Sequence, residues 1–174
     1  MTSNVILVDE NDRPIGEMEK LEAHRAGLLH RAFSVFIFND NNELLLQQRA
    51  HGKYHSGGLW TNTCCSHPVT GETTEAAAAR RLEEEMGFST GLEFVTSFIY
   101  KAELDNGLFE HEFDHVFTGS YNGNPVPDAE EVAGWKYTSL DELEKDMAEH
   151  PELYTIWFRL IFSRVKNHIT GNQE

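Results

Sequence analysis

Three short patterns in this chain hold residue types that could do chemistry. In the first, Cys65 precedes His67 by two residues within the stretch 60–68. A thiol two residues from an imidazole can be a metal site, a nucleophile pair or two buried side chains. Taken alone it favours burial, because free cysteine is among the most buried residue types. In the second, Glu110 and Glu112 flank His111. Residues two apart in a strand share a face, so both carboxylates can aim into one pocket while His111 points away. Without a partner, such a pair is more often a solvated strand face. In the third, Glu84 and Glu85 follow a glycine-bearing loop, Thr70-Gly71-Glu72, and precede the helix-stopping Gly87. An acid on a helix often does no more than face solvent.

These residues need elements to hold them. The apolar run 5–8 reads as a strand, and Asn11-Asp12-Arg13-Pro14 as a turn. Residues 17–26 have helix-forming composition, with Gly27 as C-cap. The aromatic and β-branched run 31–38 and the run 44–48 form the arms of a hairpin around residues 39–42. Residues 50–58 read as a surface loop and 59–63 as a short strand. Thr73 or Thr74 caps a helix that runs through Ala76 to Met86 and stops at Gly87. Strands follow at 94–102 and 110–118 around Asp105-Asn106-Gly107, then at 135–138. Ser139 caps a helix through Met147, and Pro151 opens a last helix to about Val165. Strands and helices mix without strict alternation. The expectation is an α/β (α+β) fold: one domain over 1–174, a mixed sheet sandwiched between helices.

Composition narrows the function. The net charge is −15, which argues against nucleic acid, since a phosphate backbone needs a basic face. No apolar run is long enough for a transmembrane helix, so no membrane partner is expected. Residues 1–10 lack the basic-then-apolar pattern of a secretory signal. The two cysteines, Cys64 and Cys65, are adjacent, and neighbours rarely form a disulfide. Free thiols indicate a cytoplasmic setting.

The third pattern resembles the Nudix box, a loop–helix–loop in which carboxylates hold divalent metal against a diphosphate. Over about 66–88, Glu72, Arg80, Leu82, Glu84, Glu85, Gly87 and Phe88 match it. Ser66 stands where the box usually opens with glycine, and Arg81 where it has a glutamate. That glutamate is among the carboxylates that support water attack in Nudix hydrolases, so its loss weakens a hydrolase reading. Joined to the Cys65–His67 and Glu110–Glu112 motifs and to His24 and His30, the pattern closely resembles type 1 isopentenyl-diphosphate isomerases of the Nudix superfamily. The resemblance runs from Val5 to about Phe162.

The resemblance implies the following. A Nudix fold interconverts isopentenyl and dimethylallyl diphosphate, an isoprenoid small molecule. Cys65 and Glu112 lie on opposite sides of the carbon chain and handle its two protons. His24, His30, His67, Glu110 and Glu112 ligate one Mn2+ or Zn2+, and Glu85 helps a Mg2+ bridge the diphosphate. Lys20, Arg49, Lys53 and Ser66 contact substrate. Tyr100 and Trp157 line the site of positive charge, with Trp60 near the cysteine motif. In so acidic a chain these few cations and metal ions have to hold the diphosphate locally. His51, His55, His111, His115, His150 and His168 read as surface or structural. Nothing demands a partner, so a monomer is expected. The rivals are a Nudix hydrolase of a small or nucleoside diphosphate and a non-catalytic module on the same fold.

Overall fold

The computed structural model describes residues 3–171. The chain starts with an antiparallel hairpin of β1 (Asn4–Val8) and β2 (Pro14–Glu19). Helix α1 (Lys20–Ala26) follows and ends at Gly27 in the left-handed region, φ 65°. The sequence suggested a helix from residue 17. Instead Glu17, Met18 and Glu19 pair with Ile6, Val5 and Asn4. Cross-strand pairing there overrides weak local helix preference. The Glu19 side chain then accepts from the Glu22 N–H at 3.0 Å and caps α1.

Strands β3 (His30–Phe38) and β4 (Glu43–Arg49) form the expected antiparallel pair. β5 is only Trp60–Thr61, shorter than the run 59–63, and β6 (Cys64–Ser66) pairs with β3. Between them, Asn62 and Thr63 are buried and bond to neighbouring backbone: Asn62 Nδ2 donates to Val35 and Cys64 carbonyls, and Thr63 Oγ1 donates to Leu45 O at 2.6 Å. Side chains of this type compete with ladder bonds and interrupt the strand. Helix α2 (Thr74–Met86) is capped by Thr73 and closed by Gly87.

The strands β7 (Glu93–Glu103) and β8 (Phe109–Ser120) pair antiparallel around a turn at Asp105–Gly107. β9 (Val132–Ser139) lies along β4, and Ser139 caps α3 (Leu140–Glu149). Pro151 does not open the last helix. Pro151–Leu153 forms a separate short turn, Tyr154 is extended, and Thr155 caps α4 (Ile156–Thr170). The cause is tertiary: the Thr155 N–H donates to Trp60 O at 3.0 Å, and the Tyr154 hydroxyl bonds Asp146. Those contacts hold the chain straight for two residues.

All nine strands among the described residues join one mixed sheet. β3 is its centre, antiparallel to β1, β4 and β6 and parallel to β8. Alternation along β3 sends Phe33, Val35 and Ile37 to one face, against Ala77, Ala78, Leu82 and Met86 of α2. Phe36, with Leu44 and Leu46 of β4, faces the other way, against Leu143 of α3 and Phe158 and Ile161 of α4. Helices cover both faces, as the sequence suggested. Among the described residues no helix is long and apolar enough to cross a membrane.

Gly87 and Gly71 both have positive φ, 75° and 86°. A Cβ at Gly87 would overlap the Val126 carbonyl oxygen, whereas one at Gly71 meets nothing within 4 Å. Gly87→Ala should therefore lose clearly more stability than Gly71→Ala, whose cost is backbone strain alone, about 1–3 kcal/mol. Urea unfolding of both variants checks this, and equal losses would remove the proposed clash.

Candidate active site

The register between β3 and β8 sets His30 opposite Glu112. Glu110 and Glu112 alternate with exposed-side neighbours on β8 and are both buried. The solvated-face alternative for this pair is thereby overturned, while His111 turns away and contacts Gly27 O at 2.9 Å. α1 brings His24, fully buried, and β6 brings His67 just beyond its end. One ligating atom from each of His24, His30, His67, Glu110 and Glu112 falls within 4.8 Å of every other. His30 Nε2 is 3.2 Å from His67 Nε2, which is 3.2 Å from Glu112 Oε1. His24 Nε2 lies 3.3 Å from Glu110 Oε2.

This donor set fits a divalent ion. Donors bound at about 2.0–2.2 Å lie at most about 4.4 Å apart, close to the spread observed. His24 Nδ1 faces Lys20 O at 2.6 Å and His30 Nδ1 faces Leu28 O at 2.9 Å. A carbonyl only accepts, so both Nδ1 atoms carry the proton and both Nε2 atoms present lone pairs to the centre. His24 Nε2 and Glu110 Oε2 are buried with no hydrogen-bond partner. Two orphaned donors on adjacent ligands are what an ion would satisfy.

The electrostatics agree. Burial, then the neighbouring His30, holds His24 below its usual range, and burial takes His67 down to about 3 against the pull of Glu112. Neutral imidazoles are the ligating form. Burial and then Glu112 push Glu110 well up. Burial pushes Glu112 the same way, but its contacts with Glu110, His30 and His67 outweigh it, and its carboxyl sits well below the ordinary range.

One cavity adjoins this cluster. Cys65, Ser66, Tyr100, Glu112 and Trp157 line it together with Lys20, Arg49 and Lys53. Cys64 points the other way into the core, as alternation requires. Burial, and then the charge of Glu85, pushes the Cys65 thiol up to about 12, and its Sγ–H faces Asn62 Oδ1 at 3.6 Å. Cys65 and His67 therefore do not form a nucleophile pair: His67 faces His30 and Glu112 instead. The Tyr100 hydroxyl donates to Glu112 Oε2 at 2.9 Å. Arg49 lies 5.2 Å above the Trp157 ring. Trp60 is absent from the cavity and sits under Lys136 Nζ, 4.4 Å from its ring centre.

The box helix contributes less than its acids suggest. Of Glu72, Glu84 and Glu85, only Glu85 reaches the cavity. Glu72 is tied to Arg80 at 2.7 Å. Arg81 donates to Glu84 and to Glu85, each at 2.7 Å, and Gln47 donates to Glu85 at 3.0 Å. Burial works against the Arg81 charge, yet Glu85 more than compensates and its pKa lies above the usual value.

The sequence missed five members of the cavity: Gln47, Tyr54, His55, Arg81 in a binding position, and Glu131. Glu131 pairs with Lys53 and lies 3.7 Å from Arg81. Nothing in residues 121–131 marks it. His55 was read as surface or structural, but its ring is 5 % exposed and turned into the site. The glycine-rich, polar composition of 50–58 correctly indicates a loop and conceals that the loop folds inward.

The NUDIX domain family matches residues 28–158. The chain is 52 % identical to the isopentenyl-diphosphate Delta-isomerase of Pectobacterium atrosepticum, with 95 % of this chain and 93 % of that one covered. It is also 52 % identical to the Serratia proteamaculans protein of the same name, over 92 % and 90 % of the two chains. Among solved structures, a MutT protein from Methanosarcina mazei superposes with a TM-score of 0.66 at 20 % identity, over 84 % of this chain and 96 % of that one. At that identity the likeness is one of fold.

The buried histidines make acid stability testable. Burial holds His55 and His67 near 3, against 6.5 in an unfolded chain. As pH falls below 6.5 the unfolded chain takes up protons that the folded chain refuses. Stability is thus whole above 6.5 and declines from there toward 3, by up to about 1.4 kcal/mol per pH unit for each histidine. Urea midpoints of the metal-stripped protein should fall between pH 6.5 and 5, the buried histidines together outweighing the opposite slope of Glu110 and Asp114, whose raised pKa values favour the folded chain as they protonate. His55→Gln should flatten the slope. A midpoint constant over that interval contradicts this account.

Proposed function

Because the chain belongs to the isopentenyl-diphosphate Delta-isomerases, a family that carries the NUDIX domain, we propose that Cys65 and Glu112 perform its reaction, the interconversion of isopentenyl and dimethylallyl diphosphate. The observation that carries this reading is the lining of one cavity. Cys65, Glu112, Tyr100 and Trp157 offer it a thiol, a carboxylate and aromatic rings, and Lys20, Arg49, Lys53 and Arg81 offer it four cations.

The double bond moves when a proton is added at the terminal carbon and another leaves the carbon two bonds away. Between them the substrate carries a tertiary carbocation. Cys65 held as a thiol and Glu112 held as a carboxylate share one proton between them. One donor and one acceptor is the stock that such a transfer needs, and the roles exchange with direction. The Trp157 ring and the Tyr100 ring offer π faces to the cation. Both are buried or half-buried and help exclude the water that would trap it. Tyr100 also steers the Glu112 carboxylate through its hydroxyl.

His24, His30, His67, Glu110 and Glu112 would hold a divalent ion, which we assign as Mn2+ or Zn2+. Such an ion fixes the orientation of Glu112 and alters its acidity. We assign a bridging Mg2+ to the diphosphate, with Glu85 as its protein ligand. Arg49 offers a fork to phosphate oxygens, Lys20 and Lys53 offer point charges, and Ser66 a hydroxyl. Two free, adjacent thiols support a cytoplasmic setting.

The test is purified protein with isopentenyl diphosphate, magnesium and manganese, followed by proton and phosphorus NMR. Dimethylallyl diphosphate should form with no release of phosphate or pyrophosphate; release without isomer would instead favour a hydrolase. Cys65→Ala and Glu112→Gln should each stay folded and lose about a hundredfold to ten-thousandfold in kcat. Lys53→Met should raise KM far more than it lowers kcat. Full activity in either of the first two variants sinks their assignment.

A further inference from the structure

His55 has no part in the reaction as assigned above, yet the chain is shaped to seat it. The next residue, Ser56, takes a left-handed conformation, φ 53°, that L side chains adopt only under constraint. Gly57 follows where a Cβ would lie 2.6 Å from His51 O. The loop is pinned from below: Gly58 N–H donates to Arg49 O at 3.0 Å, Gln48 Nε2 to Gly58 O at 3.0 Å, and Arg49 Nη2 to His55 O at 3.2 Å. Strain and pinning together turn one ring into the cavity. There it stands edge-on to Trp157, with 5.6 Å between centroids and 85° between planes. Its Nε2 points at Glu110 Oε1 from 3.9 Å.

We propose that His55 is a positioning residue: it donates its Nε2–H to the Glu110 carboxylate and so holds that ligand toward the metal centre, while its ring edge fixes Trp157. The proposal rests on the five-ligand reading of the site. Its logic is chemical. A ligand carboxylate is an acceptor only, so the imidazole nitrogen that faces it carries the proton. The other nitrogen, Nδ1, then accepts from the Ser56 hydroxyl, 3.2 Å away. Glu112 already has such a support in the Tyr100 hydroxyl. His55 is the matching support for Glu110, its 3.9 Å separation closing to hydrogen-bond range in the metal-bound form. Metal ligands are commonly oriented in this way, and loss of the orienting group weakens metal binding roughly 10–100-fold.

The experiment measures Mn2+ affinity directly, by the EPR signal of free ion titrated into metal-stripped protein. His55→Phe keeps an aromatic ring against Trp157 but removes the donor. His55→Gln places an amide N–H where Nε2 stood. His55→Phe should bind Mn2+ about 10–100-fold more weakly than wild type, and His55→Gln should recover most of that loss. Fluorescence of Trp157 should stay closer to wild type in the Phe variant than in His55→Ala. If Phe does not fold, as judged by circular dichroism, His55→Leu takes its place in the comparison with Gln. Equal affinity of wild type and the donor-less variant overturns the proposal, as does a Gln variant no better than Phe. Failure of wild type to bind Mn2+ at all sinks the five-ligand reading instead, so the two failures are separate.

Discussion

The structure depends on burying two carboxylates beside three imidazoles. An isolated charge moved into an apolar interior costs far more than a domain has to spare. Here the cost is met in three ways. Burial keeps the His24 and His67 imidazoles neutral, so they add no charge. Glu110 is pushed toward its protonated form, so the pair does not hold two full charges at close range. Glu112, the remaining carboxylate, takes hydrogen bonds from His67 and Tyr100. Such a cluster is stable only while each element stays in register. A slip of one residue between β3 and β8 would bring Phe113 or His111 opposite His30 and turn both carboxylates to the other face.

A second balance lies among the cations of the cavity. The chain carries −15 overall, yet four cations line one cavity. Two of the four are paired with carboxylates. Lys53 pairs with Glu131, and Arg81 with Glu84 and Glu85. Pairing of this kind keeps the cations in place without a ligand and leaves their charge available to a stronger anion. A diphosphate carries more charge than any one carboxylate and offers more acceptor oxygens to the same forks. Arg81, which breaks the Nudix pattern, puts a cation at the cavity wall beside Glu85. Glu85 alone remains of the box carboxylates at the cavity wall.

The sequence was most informative where chemistry and periodicity coincide. Glu110 and Glu112 share a face because a strand has a two-residue period, and that much needs no tertiary information. Thr73, Ser139 and Gly87 mark helix ends by local bonds and left-handed backbone, and all three do so here. Failures came where a distant partner decides. Residues 17–19 look helical in isolation but face β1 across a hairpin. Pro151 is a good helix opener, but Trp60 O and Asp146 hold the next residues extended. His55 and Glu131 lie on loops whose composition indicates exposure, and only the folded chain turns them inward. The five-ligand set gathers residues from α1, β3, β6 and β8, so its assembly was legible through family resemblance, not through spacing.

The displaced start of α4 has a consequence for the site. Thr155 Oγ1 donates to Thr61 Oγ1 at 3.0 Å and caps the helix through the Phe158 N–H, while the Thr155 N–H bonds Trp60 O. The first turn of α4 is thereby fastened to β5, four residues before Cys65 in the chain. Trp157 sits in that first turn, and Phe158 beside it is fully buried among Phe36, Tyr154 and Phe162. A helix begun at Pro151 would carry Trp157 in its second turn, free of this anchor. The same short bridge therefore joins the aromatic wall and the thiol strand to one rigid frame. Cys65 and Trp157, fifteen-residue helix and three-residue strand, keep their spacing because Thr61 and Thr155 bond to each other beneath them.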